Sequence, residues 1–225
     1  MHDFLSNMAY KAIIAGASGL IGSNLLRLLL QQPEYDEVLL LVRKEFPVKH
    51  KKLKQAVINF DTLEKYSSLI NGHALFSCLG TTKEKTPDTK IYYKIDHDYS
   101  VMLAQLAAKN GVTQFHLVSS VGANANSSQF YLKTKGETER DVQAAGVKTL
   151  HIYQPSLLTG RTRENRFTED VLAGMFAVLN PLLVFGLKKY RSVPGAVVAR
   201  AMITESLKNE EGIFIHPSNK IKELA

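Results

Sequence analysis

"AGASGLIG", residues 15–22, closes one apolar run and opens another. Ahead of it, "YKAIIAGA" (10–17) is continuously apolar and ends in small residues, the pattern of a strand buried on both faces. Behind it, "LIGSNLLRLLLQQ" (20–32) repeats apolar residues at helical spacing until Pro33 ends the run. Gly16, Gly19 and Gly22 fall between the two as G-x-x-G-x-x-G, with Ser18, Leu20 and Ile21 filling the loop and first helical turn. A pyrophosphate-binding turn needs glycine at these places for three reasons. The first permits the tight turn, the second lets backbone approach phosphate, and the third lets helix pack closely on strand. The helix N-terminus then offers unpaired N–H groups and the positive end of its dipole to the anion. Glycine spacing alone is a weak signal; set between a buried strand and an apolar helix, it predicts a dinucleotide site.

Working outward, the same alternation repeats. "EVLLLVR" (37–43), "AVINF" (56–60), "ALFSCLG" (74–80), "QFHLVSS" (114–120) and "KTLHIYQPS" (148–156) read as strands. "TLEKYSSLI" (62–70), "TKIYYKIDHDYSVMLAQLAAKNG" (89–111) and "YLKTKGETERDVQAAG" (131–146) read as helices, each stopped by a glycine. "GIFIHP" (212–217) adds a last strand at a sheet edge. Repeated β-α-β units predict an α/β Rossmann-type, doubly wound parallel sheet with helices on both faces. The reading is a single domain over 1–225, with a small C-terminal helical substrate region at about 161–210.

Composition narrows the function classes. In 225 residues, 45% are hydrophobic and 22% charged, so a core forms without staples. One cysteine, Cys78, rules out an internal disulfide and fits a reducing cytosol; "MHDFLSNMAYK" at the start lacks the basic-then-apolar pattern of a secretory signal. Both point to a cytoplasmic protein. The net charge of +7 suits nucleic acid, an anionic membrane or an anionic cofactor. Its densest cluster, "KHKKLK" (49–54), has no interleaved aromatics for stacking bases and reads as a solvated loop, so no nucleic-acid partner is expected. "VLAGMFAVLNPLLVFGL" (171–187) is uncharged but broken by Asn180-Pro181. It reads as two short apolar segments on the substrate side, with peripheral membrane contact through Lys188, Lys189 and Arg191 as the alternative. A protein partner or a homodimer is compatible with this reading.

Ligands of such sheets lie beyond the carboxyl ends of the strands, and those ends supply candidates. Arg43 and Lys44 stand where a site for NAD usually carries an acid. A planar guanidinium with paired donors suits a 2′-phosphate, so the cofactor expected is NADP rather than NAD. Lys49, Lys51 and Lys52 either add charge near that phosphate or face water. Asp61 either accepts from the adenine amino group or caps the helix starting at Thr62. Gly80 permits close backbone approach, with Leu79 and Thr81 lining the ribose. Cys78 reads as a small buried hydrophobe. His116 and His151 read as core or edge residues, and no His/Cys/carboxylate cluster has metal-ligand spacing, so no metal is expected.

"GASGLIG" after the first strand, "LVSS" ending the fifth and "YLKTK" opening the next helix resemble the short-chain dehydrogenase/reductase superfamily. "CLGTT", "KIDHDY", "LVSSVGA", "YLKTKGETE" and "YQPSLLTGR", in that order, are similar to its atypical, Tat-interacting-protein-like branch, over about Tyr10 to Ile203. The resemblance implies an acid/base at Tyr131 and a lysine, Lys135, one turn on, favouring the phenolate and holding the nicotinamide ribose. It implies that Ser120 bonds the substrate oxygen. Ser119 is the alternative, since strand alternation points the two apart. It also implies nicotinamide contacts from the backbone of Pro155, Ser156, Leu157 and Leu158, although Gln154 stands where Arg is usual. The implied activity is reversible hydride transfer between a nicotinamide and a small carbonyl or alcohol substrate. The alternative is an NADP(H)-binding regulatory or interaction module with little turnover. Gly136, a mid-helix glycine costing about 1 kcal/mol against alanine, marks a close approach to the backbone. Substrate choice is assigned to about Arg161–Gly195, where "RTRENR" (161–166) either meets an anionic group or faces solvent.

Overall fold

Ile13 and Ile14 are both fully buried, yet successive side chains of a strand point to opposite faces. The sheet containing them is therefore covered on both sides. In the computed structural model, which describes residues 10–160 and 192–225, β1 (Tyr10–Ala15) lies mid-sheet. It is flanked by β2 (Tyr35–Val42) and β3 (Leu53–Val57) on one side. On the other run β4 (Ala74–Ser77), β5 (Gln114–Val118), β6 (Thr149–Gln154) and a late strand, β9 (Gly212–Pro217). The order is β3-β2-β1-β4-β5-β6-β9, and every neighbouring pair is parallel. A two-stranded pairing of β7 (Leu158–Thr159) with β8 (Val193–Pro194) stands apart. The expected doubly wound α/β sheet is present, with "GIFIHP" at its edge.

Helices fill both faces. On one, α1 (Leu20–Gln31) and α5 (Gly195–Ser206) pack Leu25, Leu29 and Met202 against Ile14, Leu40 and Phe76. On the other, α3 (Tyr99–Lys109) and α4 (Phe130–Ala144) cover Ile13, Leu41, Leu75 and Phe115. Two short helices, α2 (Thr89–Tyr93) and α6 (Ser218–Glu223), complete the described set.

Three elements depart from expectation. The third strand ends at Val57, not Phe60, because Asn59 turns away to cap the next element through its side-chain oxygen, 2.9 Å from the Asp61 N–H. That element, Phe60–Leu69, is 3₁₀-helical with a kink at Thr62 instead of one α-helix. The long helix of 89–111 is interrupted between α2 and α3 by a π-helical turn, Lys94–Asp98. This turn buries Asp96 and His97; such turns concentrate at functional sites.

Gly136 meets its expectation. A Cβ there would overlap the backbone of Asn124 and Ala125 in the loop leading to α4. Gly136→Ala is expected to destabilise the protein by about 2–3 kcal/mol, the range for overpacking against fixed backbone. Urea unfolding measures it; a change near zero would mean that the loop yields.

Candidate functional site

The chain turns toward β2 on one side of β1 and toward β5 beyond β4, so the carboxyl ends of β1 and β4 form the switch point where such sheets bind ligands. A cleft of about 810 Å³ opens there, within the usual size of a cofactor site. Its floor is the glycine turn. Gly16 has φ +89°, and a Cβ on it would strike the Cys78 carbonyl; one on Gly22 would strike the Gly16 carbonyl. Both glycines are required by the protein's own packing. Gly19 differs: its Cβ would come no closer than 3.4 Å to the Gly16 oxygen. Its open side is the one that a pyrophosphate needs. Gly19 is also the N-cap of α1, with no side-chain cap and no acid in the first turn. Ser18, Leu20 and Ile21 line the same wall, so the turn fits a dinucleotide phosphate.

The strand ends contribute unequally. Arg43 and Lys44 border the cleft, as do Leu79, Gly80 and Thr81. Lys49, Lys51 and Lys52 do not: Lys49 and Lys51 are exposed elsewhere, and the Lys52 ammonium bonds the Gln32 carbonyl at 2.8 Å. Asp61 is not among the lining residues, and the cap it was expected to supply comes from Asn59. Its carboxylate accepts from Lys94 at 2.7 Å and from the Tyr99 hydroxyl at 2.6 Å. Those bonds, that from Lys94 first, hold it below the usual carboxylate range. Tyr99 itself lines the cleft, so Asp61 acts by orienting it. Cys78 is free and half-buried at the cleft wall, and desolvation pushes its thiol up to about 12, as an inert hydrophobe requires.

Tyr131 and Lys135 sit one turn apart on α4, and both face the cleft. Tyr131 is 43% exposed; Lys135 is 6% exposed. The Lys135 ammonium lies 2.8 Å from one Asp96 oxygen, while the other Asp96 oxygen accepts the Thr81 N–H at 2.8 Å. A buried carboxylate from the π turn thus joins the lysine to the fourth strand's loop. Sequence reading missed Asp96, because an unbroken helical pattern conceals the π turn that aims it.

Of the paired serines, Ser119 borders the cleft and Ser120 is not among its lining residues. Ser119 donates to the buried Glu139, whose carboxyl is raised by burial against the opposing effect of that bond. The Ser120 hydroxyl donates to the Val121 carbonyl at 3.3 Å, and its own carbonyl accepts from the Ala123 N–H at 3.2 Å. Gln154 fills the place of the usual Arg by giving its amide to both Glu139 oxygens, at 2.9 and 3.0 Å. Of the following segment, Leu158 lines the cleft. The Pro155 and Leu157 carbonyls accept from the Val121 and Val193 N–H groups, and the Ser156 N–H donates to the Ser218 hydroxyl. "RTRENR", the apolar stretch 171–187 and Lys188, Lys189 and Arg191 lie outside the described residues. Among the described ones, no helix is long and apolar enough to cross a membrane.

Residues 16–174 match the protein family described as NAD(P)H-binding. The chain belongs to that family. Among its relatives, Protein HTATIP2 of Rattus norvegicus is 32% identical over 203 residues, covering 88% of this chain and 82% of that protein. "Protein FMP52, mitochondrial" of Saccharomyces cerevisiae is 36% identical over 158 residues, 68% of each chain. The expected resemblance to the Tat-interacting-protein-like branch is borne out by these matches. In fold, the chain is similar to UDP-glucose 4-epimerase from Thermotoga maritima, with TM-score 0.66 and 16% identity over 95% of this chain and 80% of that one. The cytoplasmic expectation is overturned: fungal relatives in this NAD(P)H-binding family carry mitochondrial names. A lone cysteine excludes an internal disulfide, but it does not say which compartment the chain occupies.

Proposed function

We propose that the protein is an NADP-dependent oxidoreductase transferring hydride between a nicotinamide and a small carbonyl or alcohol. The observation that carries this reading is that Tyr131 and Lys135 open onto the cleft floored by the glycine turn. The cofactor, when bound, supplies or accepts the hydride. Tyr131 gives its phenolic proton to the substrate oxygen in reduction and removes the alcohol proton in oxidation. Lys135 brings a positive charge to the cleft wall one turn from Tyr131, and Asp96 fixes where that charge sits. Ser119 stands at the cleft wall with its hydroxyl proton held by Glu139, which leaves lone pairs, not a donor, toward the cleft.

NADP is preferred because Arg43 and Lys44 border the cleft at the end of β2. Arg43→Ala is expected to weaken NADPH binding by about tenfold or more, the worth of a charge-assisted contact, and to leave NADH binding nearly unchanged. Fluorescence titration of both cofactors reads this directly; equal losses for the two would remove Arg43 from 2′-phosphate recognition.

A second reading, a cofactor-binding regulatory module with little turnover, is favoured by one contact. Pairing with Asp96 offsets the charge that Lys135 would lend to Tyr131. A carbonyl substrate screen with NADPH separates the two readings, since only the enzyme turns over.

A further inference from the structure

We propose that His151, His216 and Glu205 form a buried zinc site that fastens edge strand β9 and helix α5 to the sheet. The site follows from strand register. β6 and β9 pair in parallel with His151 opposite Phe214 and Tyr153 opposite His216, so all four side chains leave the same face. That face lies under α5, whose last turn supplies Glu205. The three groups are 1%, 5% and 3% exposed, in the order named. His151 Nδ1 is 3.0 Å from His216 Nε2 and 3.8 Å from a Glu205 oxygen, and the three donor atoms all lie within 4.8 Å of one another. Zinc bonds of about 2.0–2.2 Å in tetrahedral geometry set donors about 3.3–3.5 Å apart. Zinc would have to open the imidazole pair from 3.0 Å and draw the Glu205 carboxylate in from 3.8 Å.

The chemistry of the set agrees. Two imidazoles and one carboxylate are a zinc donor set, with the fourth position left to a water. A carboxylate this buried requires compensating positive charge. Lys208 holds one Glu205 oxygen at 2.6 Å and leaves the other facing the imidazoles, the outer-shell support that metal ligands commonly have. His116, stacked on His151 at 4.7 Å, does not compete, because its nitrogens bond the Tyr153 hydroxyl and Gln114, each at 3.1 Å. None of the three ligands borders the cleft, so the metal serves the join of β9 and α5 rather than hydride transfer. The expectation of no metal rested on spacing along the sequence, where this cluster leaves no sign. Its members are far apart in sequence and meet only once β9 pairs with β6.

The test uses the full chain. After dialysis against a chelator, the protein is titrated with zinc and, separately, with cobalt. Elemental analysis is expected to find about one zinc per chain. Zinc should raise Tm, and cobalt should give the visible bands of a tetrahedral site. Glu205→Gln and His216→Gln are each expected to cut occupancy to about a tenth or less, with NADPH affinity unchanged as a check on folding. Failure of the wild-type chain to take up either metal while still binding NADPH would overturn the proposal. In that case the two imidazoles share a proton across their 3.0 Å contact. Equal uptake by wild type and both variants would overturn it as well.

Discussion

Tyr131→Phe is expected to lower carbonyl reduction by about a thousandfold, within the range for loss of a general acid, while NADPH affinity changes by no more than about twofold. The substitution removes one oxygen and keeps a half-exposed ring, so packing on α4 is preserved. The loss should fall on kcat and kcat/KM alike, because the proton is delivered only as the carbonyl oxygen gains charge. Lys135→Met should not mimic it, since that change also removes a buried charge from beside Asp96 and is expected to weaken cofactor binding. The assay is steady-state loss of NADPH on substrates found by the screen. A drop of less than about tenfold would detach Tyr131 from proton transfer.

What the sequence disclosed and what it withheld divide along physical lines. Gly16, Gly22 and the buried runs of β1, β2 and β5 are local patterns: each is fixed by neighbours within a few residues, and each appears where expected. The third strand slipped because Asn59, a strong cap, competes with the apolar Ile58 and Phe60 for the same backbone. Alternation correctly set Ser119 and Ser120 apart but carried no sign, and which serine meets the cleft depends on the twist at the end of β5. Asp96 depends on a π turn, whose extra residue rotates the helix face and leaves no trace in hydrophobic spacing. Glu205 and His216 join His151 only through a crossover of more than fifty residues, beyond the reach of any motif.

Asp96→Ala is expected to cost about 3–5 kcal/mol of stability, because it strands a buried ammonium instead of merely deleting a contact. Lys135 has its charge inside the protein, and Asp96 is buried more deeply still. The alanine variant also leaves the Thr81 N–H without its acceptor. Asp96→Asn should be milder, since its amide oxygen still accepts from Thr81 while the charge alone is lost. Urea unfolding of Asp96→Ala, Lys135→Met and their combination completes the cycle. If the stranded charge is the cause, the double variant is more stable than Asp96→Ala alone, since no ion remains unpaired. If the double variant is the less stable, the cost lies in the Thr81 bond and in packing, and Asp96 positions the loop rather than the lysine.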